Sequence, residues 1–144
     1  MTGRSRRWLA SVVLAIAVSF ASAACVHYPN VRDVGGTKII PSNGRIVREP
    51  DGGRFYVDLD STGKYGDTIV AVITPAAQQA HLVSATGERI ERLRIPPVSH
   101  YSLSPGNPYA VLVSLSPEIK PLETIIVTLV FEKLGHVGVV TVVE

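Results

Sequence analysis

Short runs of β-branched and aliphatic residues, interrupted by glycine and proline, dominate the chain from residue 44 onward. Phe55, Val57 and Leu59 alternate with polar residues, which is the period of a strand with one buried face. No segment of helical length has a 3.6-residue period, and the best helical candidate is a single turn at 75–79. Because short strands joined by Gly/Pro turns are typical of sandwiches and barrels, the sequence predicts one all-β domain. The predicted strands are 44–49, 54–60, 68–74, 80–85, 89–95, 99–103, 109–115, 124–132 and 137–143.

The last two predicted strands are the most apolar, and we expect them to form a hairpin across residues 133–136. In the first of them Ile125, Val127, Leu129 and Phe131 recur with an unbroken period of two. Side chains at this spacing project to the same side of a strand. The sequence therefore predicts that these four residues face the core.

The first 24 residues have the organisation of a bacterial export signal. Three arginines (Arg4, Arg6 and Arg7) precede an apolar run at 8–20, and small residues follow at 21–24. This apolar run is too short for a stable transmembrane helix. Residues 1–24 are therefore predicted to be a signal peptide. Residues 25–43, which are rich in Pro, Gly and Asn, are predicted to tether a domain spanning 44–144.

The single cysteine of the chain, Cys25, directly follows Ser22-Ala23-Ala24. With no second cysteine, an intramolecular disulfide is impossible. The position resembles a bacterial lipobox, whose cysteine thiol receives a diacylglycerol, so we expect a lipid-anchored protein in the periplasm or on the outer face of a membrane. The alternative is ordinary cleavage after Ala-Ser-Ala, which would leave a free thiol.

The charge balance of the mature chain excludes a nucleic-acid-binding protein. Three of the 14 basic residues belong to the signal, which leaves 11 against 12 acidic residues. No basic stripe remains to bind phosphates. Catalytic motifs are also missing, so the sequence predicts a protein that is not an enzyme. Asp58 and Asp60 share one side of a strand and could bind a hard cation or transfer protons, although a solvated face explains them more simply.

Several landmarks occur in the order found in one known family. These are Gly66-Asp67-Thr68-Ile69-Val70 before Ile73-Thr74-Pro75-Ala76-Ala77, then His81-Leu82, Leu103-Ser104-Pro105-Gly106, Pro121-Leu122, and Thr128-Leu129-Val130-Phe131-Glu132-Lys133-Leu134-Gly135. From residue 44 onward the chain resembles the PCu(A)C family of periplasmic copper chaperones. The resemblance implies a cupredoxin-like Greek-key antiparallel β-sandwich.

The same resemblance implies where copper ligands should lie. The family holds Cu(I) with two histidines and two methionines in the order His, Met, His-x-Met. His81 matches the first histidine, the second ligand falls within 90–92, and the His-x-Met pair falls on Ala110 and Leu112. None of these other positions carries a methionine or histidine, and the only methionine of the chain is Met1. Because Cu(I) prefers sulfur ligands, the sequence predicts a degenerate Cu(I) site.

The resemblance therefore implies a cell-envelope protein of the copper-chaperone family, non-enzymatic, with a copper-accepting envelope protein as partner and a membrane contact through the anchor. The alternative is an envelope interaction module that keeps the sandwich without binding metal. Two further metal sites stay open. His81 could join His100 and His136, or a free amine at Cys25 followed by His27 could bind Cu(II).

Overall fold

The computed structural model describes residues 32–144, and every regular element in this range is a strand. The predicted signal peptide, Cys25 and His27 lie outside the described residues. Within the described part, no helix is both long and apolar enough to cross a membrane. The strands are β1 (Asp33–Val34), β2 (Thr37–Glu49), β3 (Gly52–Ser61), β4 (Asp67–Ile73), β5 (Ala77–Val83), β6 (Arg89–Ile90), β7 (Leu93–Ile95), β8 (Ser99–Leu103), β9 (Tyr109–Leu115), β10 (Thr124–Phe131) and β11 (Gly135–Val143).

The strands form one sheet that curls until its two ends approach each other. Its order is β6-β5-β9-β3-β2-β11-β10-β4-β7, with β1 beside β2 and β8 beside β3. Neighbouring strands are antiparallel except β11 and β2, which are parallel. The predicted all-β domain is thus confirmed, with one parallel pair in an otherwise antiparallel arrangement.

The core follows the predicted period of two. Phe55, Val57 and Leu59 are all buried on β3. On β10, Val127, Leu129 and Phe131 are buried, and Ile125 packs against the same core from a partly exposed position. The predicted hairpin is also present, because β10 pairs with β11 from Thr124 opposite Val142 to Phe131 opposite Gly135.

The domain begins earlier than the sequence predicts. β2 starts at Thr37, inside the predicted tether, and Ile39 is buried in the core. The breaker residues of this segment mark an irregularity within the strand, where the register against β3 shifts between Ser42 and Arg45. A Cβ on Gly44 would lie 2.7 Å from Val139 Cγ1, so the glycine permits close approach to β11.

The predicted strand 89–95 is two strands in the structure. β6 pairs with β5 through Ile90 and Leu82, whereas β7 pairs with β4 through Leu93 and Ile69. Glu91 and the following residue cross between the two ends of the sheet. We refer to this place, where the sheet fails to close, as the seam.

Candidate functional site

His81, the one histidine that the resemblance marks as a metal ligand, lies on β5 beside the seam. A cleft of about 430 Å³ opens there. Three short segments line the cleft: 70–72 of β4, 80–82 of β5, and 89–92 of β6 and the crossing after it. The fold therefore places His81 next to a concave surface, as a ligand-binding histidine requires.

The surroundings of His81 disfavour the protonated, positively charged form of its imidazole. Partial burial lowers the pKa of its imidazole, and the nearby guanidinium of Arg89 lowers that pKa further. The neutral form of the imidazole is therefore favoured, and this form has a nitrogen lone pair free for a metal. The same guanidinium, however, repels any second cation, so Arg89 opposes a copper ion at this position.

The strand register shows which residues of β9 share a face with His81. His81 lies directly opposite Val111, and directly opposed residues of an antiparallel pair project to the same side. Tyr109 and Val111 are therefore on the side of His81, whereas Ala110 and Leu112 project to the other side and are 0% and 1% exposed. Ala110 and Leu112, to which the resemblance assigns the His-x-Met pair, therefore do not share a face with His81 in this register, because adjacent residues of a strand project to opposite faces.

The donor atoms near His81 do not fit a Cu(I) site. Tyr109 and Val111 offer a phenol and an alkyl group, and 90–92 offer an alkyl group, a carboxylate and a guanidinium. Cu(I) prefers thiolate and thioether sulfur, and residues 32–144 contain neither cysteine nor methionine. Across the same residues, no group of three or more His, Cys, Asp and Glu side chains is placed to hold a metal ion.

The three-histidine hypothesis is also wrong for this fold. His100 lies on β8, where its Nδ1 is 2.5 Å from Oδ1 of Asp60, and His136 lies at the start of β11 opposite Val130. Neither strand neighbours β5 in the sheet. Among residues 32–144, His81 therefore has no second histidine with which to share a metal.

The two aspartates of β3, Asp58 and Asp60, form hydrogen bonds with polar side chains of the neighbouring strands β2 and β8. We call these side chains, Asn43, His100 and Ser102, the polar row. Asp58 accepts hydrogen bonds from Oγ of Ser102 at 2.6 Å and from Nδ2 of Asn43 at 2.8 Å. These two bonds lower the pKa of the Asp58 carboxyl, and the hydrogen bond to Asp60 raises the pKa of His100. Sequence reasoning missed this row, although His100 and Ser102 repeat the two-residue spacing of the aspartates. Because each carboxylate already has partners on neighbouring strands, the row is best explained as a solvated face that ties β2, β3 and β8 together.

Comparison with known proteins identifies the family. Residues 38–143 match the family described as "Putative lipoprotein LpqE-like". The chain belongs to the LpqE-like family. No curated protein matches this LpqE-like chain.

Solved structures of PCuAC domains show the same fold. The copper-bound PCuAC domain from PmoF2 is 26% identical, with a TM-score of 0.62 over 79% of this chain and 97% of that domain. The apo PCuAC domain from PmoF1 is 25% identical, with a TM-score of 0.64 over 79% of this chain and 98% of that one. The solution structure of CuI-DR1885 from Deinococcus radiodurans is 19% identical, with a TM-score of 0.63 over 79% of this chain and 80% of that one. At this identity the match shows the fold alone. The resemblance to the PCu(A)C family and the cupredoxin-like fold are both confirmed.

Proposed function

We propose that this LpqE-like chain is a non-enzymatic cell-envelope protein that keeps the copper-chaperone fold around a degenerate Cu(I) site. One observation carries the proposal: His81 stands beside Val111 and Arg89, with no sulfur donor within residues 32–144. A single imidazole provides one of the several convergent ligands that a tightly held Cu(I) ion needs. Copper at His81 would therefore be weakly held, and delivery to a copper-accepting envelope protein would have to operate at low affinity.

A second candidate is an envelope interaction module that uses the sandwich without metal. The Arg89 guanidinium beside His81 favours this candidate, because it stabilises the neutral imidazole and opposes a bound cation. In that case the sandwich serves as a rigid body that presents surfaces to a partner. The two candidates differ in whether His81 contributes to any copper binding.

Competition with a colorimetric Cu(I) chelator separates these candidates. We expect the mature protein to leave nearly all Cu(I) on the chelator and to take up only a weakly held fraction, which His81→Ala removes. A weak shift that disappears in His81→Ala would favour the degenerate chaperone over the module. Tight, stoichiometric retention of Cu(I) by the parent protein would contradict both candidates.

We further propose that Cys25 is the first residue of the mature protein and carries lipid. The description of the family as a lipoprotein family supports this proposal, as does the position of Cys25 after the small residues of the signal. Acylation of its amine would also remove the nitrogen that a Cu(II) site with His27 requires.

Cys25→Ser is expected to move the protein from the membrane fraction to the soluble fraction, because the thiol that receives the lipid is lost. Fractionation of cells that express either form, followed by immunoblotting, measures the change. Mass spectrometry of the native parent protein provides the control. An unmodified mature N-terminus at Ala24 would show that ordinary cleavage occurs instead.

A further inference from the structure

An apolar surface covers the outer side of three adjacent strands, β4, β10 and β11. Ile126 lies opposite Val140, and Thr128 lies between Gly138 on one neighbour and Ile73 on the other. Directly opposed residues share a face, so these side chains form continuous rows across the three strands. We call this surface the aliphatic face, and it comprises Ile73, Ile126, Thr128, Gly138, Val140 and Val142.

The aliphatic face is unusually exposed for such residues. Ile73 and Ile126 are each 48% exposed, Val140 is 58% exposed and Val142 is 38% exposed. Several large aliphatic side chains that are exposed together mark an interaction surface more often than singly scattered ones do. The other large exposed aliphatic side chains of the described residues lie outside β4, β10 and β11, and they are Val34, Val47, Val98 and Leu122.

The six residues of the aliphatic face carry no ammonium, guanidinium or carboxylate group. The guanidinium of Arg45, which lies beside Val142 at the edge of the face, is placed over the ring of Tyr56 at 5.2 Å. Along β10 and β11 the outward positions alternate with the buried ones, and the remaining outward residues are Thr124, Val130 and His136. An uncharged surface can pack against a second copy of itself without burying a charge or opposing like charges. A surface of β-branched side chains is also the kind that packs in sheet-on-sheet interfaces.

The shape of the aliphatic face is complementary to that of a second copy. Val140 protrudes, and Gly138, two residues earlier on the same side of β11, has no side chain. A Cβ built on Gly138 would meet one atom, Cγ2 of Ile126 at 3.4 Å, so the glycine leaves a hollow open to the outside. A two-fold axis through the level of residue 139 would place each Val140 over the other copy's Gly138. A protrusion and a hollow related in this way are what a two-fold symmetric interface needs, because each copy supplies both.

A lipid surface fits the aliphatic face less well. Thr128 lies in its middle row, and its hydroxyl would lose hydrogen-bonding partners in hydrocarbon. The face also lacks the Trp and Tyr side chains that enrich membrane-water interfaces.

We propose that the aliphatic face is the interface of a two-fold symmetric homodimer, in which Val140 of each copy packs into the hollow at Gly138 of the other. This proposal does not depend on metal binding. If Cys25 carries lipid, both copies are confined to one membrane surface, which raises their effective concentration and lets a small interface suffice.

Sedimentation velocity of the mature chain carrying Cys25→Ser, over a range of concentrations, tests the dimer. We expect a reversible equilibrium between monomer and dimer. Val140→Asp should weaken association at least about tenfold, because it buries a charge at the centre of the interface. Gly138→Val should also weaken association although it adds apolar surface, because it fills the hollow.

The matched control is Leu122→Asp, which removes a side chain that is 79% exposed and lies outside the aliphatic face. It should leave association unchanged, and circular dichroism should show that all variants keep the parent fold. A monomer at every concentration would overturn the proposal, and so would a dimer that survives Val140→Asp or is strengthened by Gly138→Val. Binding of a monomer to zwitterionic vesicles that Val140→Asp abolishes would assign the face to a membrane and overturn the dimer.

Discussion

Replacing Phe131 with alanine is expected to lower the free energy of unfolding by about 3–5 kcal/mol, the usual range for truncation of a buried aromatic ring. Phe131 is 2% exposed and ends β10, where it lies opposite Ile69 of β4 and Gly135 of β11. The ring therefore lies where three strands meet, and its removal leaves a cavity that the sheet cannot close without moving a strand. Denaturation by urea, with the midpoint and slope compared between variants, measures the loss.

The control for this experiment is Val130→Ala, one residue earlier on the same strand. Val130 lies opposite His136 and is only partly buried, because it projects to the outer side of β10. Substitutions at such positions usually change stability by about 0.5 kcal/mol or less, although the β-branched side chain adds a small strand preference. Equal losses at both positions would mean that Phe131 does not project into a packed core.

The fold was predictable from sequence where the local period and the tertiary burial agree. Val127, Leu129 and Phe131 repeat every second residue and are buried, and the bounds of β8 and β9 agree with the prediction residue for residue. Prediction failed where proline, glycine or asparagine residues could belong either to a linker or to an irregular strand. Residues 37–43 resemble the end of a linker in the sequence, but they belong to β2 and pair with β3 from Ile39 opposite Ser61.

The candidate site was predictable in residue type and not in geometry. His81 and the lack of sulfur donors can be read directly from the sequence. Which residues of β9 share a face with His81 depends on the pairing of β5 and β9, and no local pattern specifies that register. The splitting of 89–95 into β6 and β7, which forms the cleft, likewise depends on two different partner strands.

The register leads to a design that tests the degenerate site directly. Tyr109→His combined with Val111→Met adds an imidazole and a thioether on the side of β9 that faces His81. Because Cu(I) prefers sulfur and nitrogen donors that converge, we expect the double variant to bind Cu(I) at least about 100-fold more tightly than the parent, or roughly 2.8 kcal/mol. Competition against a colorimetric Cu(I) chelator, with the parent and the double variant titrated side by side, measures the gain.

The control carries the same two side chains one residue further along β9, as Ala110→His with Leu112→Met. These positions are buried on the opposite face, so the control should gain no Cu(I) affinity through His81 and should lose stability from the imidazole in the core. The gain in the first variant should disappear when His81→Ala is added, because His81 supplies the third ligand. If the control gains affinity and the first variant does not, the assignment of Tyr109 and Val111 to the face of His81 is wrong. If neither gains affinity, His81 does not lie within reach of a copper ion held by β9.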